Sequence, residues 1–101
     1  MKKLSNDQIA TRDAVRSICR NYSNISISES VKGREEKYIL MKIANVELFL
    51  YEDGEANIKL TSDKSFAGKA IEWRYELPDY KNTDELRTGL LNDLYELLQE
   101  Q

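Results

Sequence analysis

Histidine is absent from this 101-residue chain, and cysteine, proline and tryptophan occur once each. Without an imidazole, no side chain titrates near neutrality by default. The usual general base, the His-activated nucleophile and the commonest metal ligand are therefore excluded together. The lone Cys19 can form neither an internal disulfide nor a thiolate cluster for zinc. No apolar stretch matches a signal-peptide core or a membrane span. With the cysteine usage, this predicts an intracellular, cytoplasmic protein. The glycosylation-type triplets Asn21-Tyr22-Ser23 and Asn24-Ile25-Ser26 matter only in a secreted chain and are set aside. No linker, internal repeat or low-complexity tract breaks the chain.

What remains is an ordinary soluble composition, 41% hydrophobic and 33% charged with nine aromatics, too apolar for disorder and long enough for one core. One α+β domain over residues 1–101 is expected. The net charge of −3 is unevenly spread. Residues 1–20 carry five basic and two acidic side chains, whereas residues 72–101 carry three and eight. Such polarity can steer a partner or draw the terminal elements together, but it is far from the basicity of a duplex-DNA binder.

Ser5-Asn6-Asp7-Gln8 reads as a capping box opening a helix over about 6–21, with Thr11, Val15, Ile18, Cys19 and Tyr22 at helical spacing. From Ile25 the period drops to two, and the serine-rich Ile25–Val31 stretch predicts an edge strand with one wet face. Tyr38–Ile43, Val46–Tyr51 and Asn57–Thr61 follow as strands joined by Ala44-Asn45 and by the hairpin signal Asp53-Gly54. Ala70–Leu77 alternates most cleanly, with Ile71, Trp73, Tyr75 and Leu77 on one side. Pro78 ends the sheet, and Asn82-Thr83-Asp84-Glu85 opens a second helix whose leucines face a core. The expected fold is an N-terminal helix, an antiparallel meander of four to five strands and a C-terminal helix packed on the sheet. Gly89 inside that helix reads as tolerated or as a close-packing position.

Val46–Tyr51 carries large apolar residues on both faces, which a half-buried strand should not. A two-residue turn at Asp53-Gly54 would place Phe49 opposite Ile58, and so Leu48 and Leu50 with the polar Asn57 and Lys59. For the second strand, a two-residue loop sets Lys42 opposite Glu47 and adds Met41 and Ile43 to that face; a three-residue loop adds Tyr38 and Leu40 instead. Either one helix covers each face, or both helices share a face and a partner covers the other.

Catalytic signals are thin. Gly68-Lys69 lacks the glycine-spaced loop that cradles phosphates. Glu35-Glu36-Lys37 resembles the acid-x-Lys of metal nucleases without the upstream aspartate on a strand, and Asp53, Glu55 and Asp63 suit turns better than a cation. The expectation is a protein without enzymatic activity, metal or cofactor. It would bind stoichiometrically, as an inhibitor, immunity protein or adaptor, including those that phages or mobile elements direct at host defence complexes. Its partner would be a protein target or a second copy of itself. Met41, Ile43, Val46, Leu48 and Leu50 would supply apolar area, and Glu85, Asp93, Glu96 and Glu100 an acidic ridge. The alternative is an RNA or single-stranded nucleic-acid binder using Arg12, Arg16 and Arg20, four apart on the first helix.

Overall fold

In the computed structural model, the structure describes residues 4–22, 25–35, 37–44, 46–52, 55–60 and 71–99. The Ser5 side chain accepts from the Gln8 amide while the Gln8 side chain accepts from the Ser5 amide, so the capping box forms and starts helix α1, Asn6–Cys19. Five strands follow: β1 Ile27–Lys32, β2 Tyr38–Ile43, β3 Val46–Leu50, β4 Ala56–Leu60 and β5 Ile71–Tyr75. A short 3-10 turn at Leu77–Asp79 contains Pro78, and helix α2 runs Thr83–Gln99 with Asn82 accepting from the Glu85 amide at its start.

Each strand pairs antiparallel with its neighbour in sequence, giving the order β1-β2-β3-β4-β5. The β2–β3 connection is the two-residue loop, with Ile43 opposite Val46 and Lys42 opposite Glu47. That tight loop requires a positive φ, and Ala44 supplies it at 53°. The β3–β4 connection departs from expectation. Leu50 lies opposite Ala56 and Tyr51 N donates to Glu55 O, so the loop is one residue longer than the Asp53-Gly54 signal implied.

A shift of one residue sends every side chain to the other face. Leu48 therefore pairs with Ile58 rather than Lys59, and Phe49 pairs with Asn57. One face becomes wholly aliphatic on the central strands: Ile39, Met41, Ile43, Val46, Leu48, Leu50, Ala56 and Ile58. Both helices cover that face, α1 through Val15 and Cys19, α2 through Leu86, Leu90, Leu94 and Leu98, and together they form one core.

Gln8 and Arg87 tie the layers together. The Gln8 Nε2 donates to Lys37 O at 2.7 Å and to Leu50 O at 3.1 Å, linking α1 to the ends of β2 and β3. Arg87 on α2 donates from Nε to Thr11 Oγ1 on α1 at 3.0 Å and forms ion pairs with Asp84 at 3.1 Å and Asp7 at 3.6 Å. Gly89 lets Tyr80 lie against α2, where a Cβ would meet the tyrosine ring and hydroxyl at 3.2 Å.

Candidate functional site

The expected apolar docking set is core. Met41, Ile43, Val46 and Leu48 are 0% exposed and Leu50 2%, because the longer β3–β4 loop turns them beneath the helices. This corrects the reading that they form uncovered surface: no partner can reach them while the domain is folded. The acidic ridge is also divided by local duties. Glu85 accepts from the Lys81 amide beside the α2 cap, and Asp93 accepts from the Tyr75 hydroxyl at 2.6 Å. Burial, reinforced by that bond, pushes the Tyr75 hydroxyl well above its ordinary pKa. Glu96 is exposed, and Glu100 lies outside the described residues.

On α1, Arg16 grips Glu29 of β1 with both arms, Nε and Nη2 each 2.6 Å from a carboxylate oxygen. Arg12 reaches the adjacent Asp13 at 3.2 Å, and Arg20 is exposed. The arginine ridge is thus partly neutralised within the chain. Cys19 is buried and burial raises its thiol pKa, the opposite of what a nucleophile needs. Among the described residues no three acidic or cysteine side chains are grouped to hold a metal ion, and no helix is long and apolar enough to cross a membrane. Asp53, Asp63, Glu36 and Gly68-Lys69 lie outside the described residues.

The sheet face away from the helices carries the surface that sequence reasoning missed. The register places Tyr38, Leu40 and Phe49 there, and Tyr51 continues the same side just past β3. Their rings cluster: Tyr38 to Tyr51 at 5.6 Å and Tyr38 to Phe49 at 6.1 Å, with Asn57 Nδ2 3.4 Å from the Tyr51 hydroxyl. All four remain partly exposed. Beside them runs a charge ladder across the strands, Lys42 opposite Glu47, Glu47 opposite Lys59 and Lys59 opposite Glu72. The alternation makes this row locally neutral. The two-residue β2–β3 loop puts Tyr38, Phe49 and Tyr51 on one face with Lys42 and Glu47, but which face that is depends on the β3–β4 turn length, which the local sequence does not fix.

A second feature is the outer edge of β1, where Ile27 is 38% and Val31 50% exposed. An open groove of about 330 Å³ separates this strand from α1, lined by Arg12, Arg16, Glu29, Ser30, Val31 and Ile39. The structure places the described strands and helices in a single small α+β domain with one sheet face covered and one open. Comparison with known protein families, curated proteins and solved structures finds no match.

Proposed function

We propose that this chain is a small binding module that acts stoichiometrically on another protein, as an inhibitor, immunity protein or adaptor does, through the open face of its sheet. The observation that carries the reading is the cluster of Tyr38, Leu40, Phe49 and Tyr51 on a face that neither helix covers. Partly exposed aromatics side by side on a rigid sheet are the composition of an interface centre, where tyrosine and other large rings supply most of the binding energy. The neighbouring Lys42-Glu47-Lys59-Glu72 row is alternately signed, which suits a protein surface with matching charges and offers no sustained pull on a phosphate backbone.

The test is affinity purification from the native cells with the wild-type chain and with a Tyr38→Ser, Phe49→Ser double variant. The expected outcome is one protein recovered in equimolar amount with the wild type and lost with the variant, while circular dichroism shows the fold retained. Recovery of the same partner by both proteins would place the interface elsewhere. Salt-dependent binding of the wild type to single-stranded oligonucleotides would favour the nucleic-acid reading instead.

A further inference from the structure

β1 is the outermost strand of the sheet, and among the described residues nothing pairs with its outer side. Ala44 N donates to Ser26 O, which fixes the phase of the β1–β2 ladder. Hydrogen-bonded and non-hydrogen-bonded residues alternate along an antiparallel pair. Ser28, Ser30 and Lys32 therefore direct their backbone groups at β2, and Ile27, Glu29 and Val31 turn theirs outward. The same three residues hold their side chains on the helix side of the sheet, where Ile27 and Val31 remain exposed.

Soluble proteins commonly blunt such an edge with proline, a bulge or a bare charge. β1 contains no proline, and its register runs unbroken from Ile27 opposite Ile43 to Lys32 opposite Tyr38. Its one charge on that side, Glu29, is neutralised by the two-armed grip of Arg16.

We propose that β1 pairs antiparallel with β1 of a second copy, about a two-fold axis passing through Glu29. In that register the outward amides of Ile27, Glu29 and Val31 in each copy meet the outward carbonyls of the other. Ile27 lies opposite Val31 of the second copy, so the two exposed aliphatics of each strand cover those of its mate. Moving the axis to Ser30 sets Glu29 against Val31 and carries Ile27 past the strand; moving it to Ser28 sets Ile27 against Glu29. Axes at Ile27 or Val31 would set one aliphatic against its own copy and leave the other without an aliphatic mate inside the strand; the Glu29 axis alone covers both. The two Glu29 carboxylates that then face each other each arrive bound to Arg16, and the four charges cancel. The groove between α1 and β1 provides room for the incoming side chains. One strand edge buries less than the ~800 Å² per partner of a stable complex, so the pairing is reversible and concentration-dependent. It uses a different surface from the aromatic cluster and stands or falls separately from it.

Sedimentation velocity from micromolar to millimolar concentration tests the proposal. The wild type should shift with concentration from the mass of one chain toward twice that mass. Ile27→Lys alone and Val31→Glu alone should each stay monomeric over the same range. An equimolar mixture of these two variants should regain the dimer, because the introduced lysine then faces the introduced glutamate while the unaltered Val31 faces the unaltered Ile27. Both positions are solvent-exposed, so unchanged circular dichroism is expected for each variant. A wild type that is monomeric throughout, single variants that still dimerise, or a mixture that fails to recover would each overturn it.

Discussion

Gln8 ties the start of α1 to the sheet from inside the core, and its removal should be costly. Its side chain is 2% exposed and makes three hydrogen bonds, accepting from Ser5 N and donating to Lys37 O and Leu50 O. The partners fix the amide orientation, since an amide N–H needs the oxygen and two carbonyls need the nitrogen. Gln8→Ala removes bonds worth about 1 kcal/mol each and leaves the buried Leu50 carbonyl without its side-chain donor, for a total of about 3–4 kcal/mol. With a urea slope near ~1 kcal/mol per molar for a small domain, the unfolding midpoint should fall by about 3 M. Gln8→Met, which restores most of the volume, should recover little of this. Gln8→Glu keeps the acceptor for Ser5 but sets a carboxylate against two carbonyls, which raises its folded-state pKa above the unfolded value. Its stability should therefore approach that of the wild type below about pH 4 and decline as pH rises through the folded-state pKa. Urea titrations of the three variants at acidic and neutral pH decide the matter. A loss below about 1 kcal/mol for Gln8→Ala, or a Gln8→Glu variant insensitive to pH, would refute the assignment.

The neighbouring pair Leu48 and Phe49 reports the register directly: Leu48→Ser should cost at least about 3–5 kcal/mol and Phe49→Ser only about 1 kcal/mol in chemical denaturation. Burial holds the Cys19 thiol and, with Asp93, the Tyr75 hydroxyl in their neutral forms. Stability should thus be fully present below about pH 8 and decline as these groups ionise in the unfolded chain, at about 8.5 and 10. Tyr75→Phe should lower neutral stability by about 1.5 kcal/mol and flatten the decline above about pH 10, seen as a shallower alkaline limb in urea titrations. A double-mutant cycle on Arg87→Ala and Thr11→Val, read by thermal unfolding, should return a coupling of about 1 kcal/mol between the helices. Ala44→Gly should stabilise the domain by about 0.5–1 kcal/mol, measured in the same denaturation assay, because glycine relieves the positive φ at a modest entropic cost.

Element order was legible because each segment carries its own punctuation. Ser5 and Gln8 marked the start of α1, Asn82 and Glu85 that of α2, and the Ala44-Asn45 loop set Lys42 against Glu47. The candidate surface was not legible, and the reason is one loop residue. Asp53-Gly54 is a strong two-residue hairpin signal, yet Tyr51 pairs with Glu55 rather than Ala56. Nothing local distinguishes the two lengths; the apolar pattern of β4 and the helices decides, because only the longer loop buries Leu48 with Ile58. The same tertiary choice exposed Phe49 and Tyr51 and made Gln8 a core residue as well as a cap. α1 ends at Cys19, slightly before the expected boundary, and β1 has water near both faces rather than one, since neither helix extends over Ile27 and Val31.

The nearest-neighbour order of the strands has a consequence for how the chain assembles. The first three hairpins can close from residues close in sequence, so β1 to β4 can assemble by short steps of the kind that make folding fast. α1 cannot do the same: the carbonyls that receive Gln8 belong to Lys37 and Leu50, well downstream. During synthesis its apolar stripe must stay unsheltered until the second hairpin has emerged, which makes this interval the window in which a chaperone has something to hold.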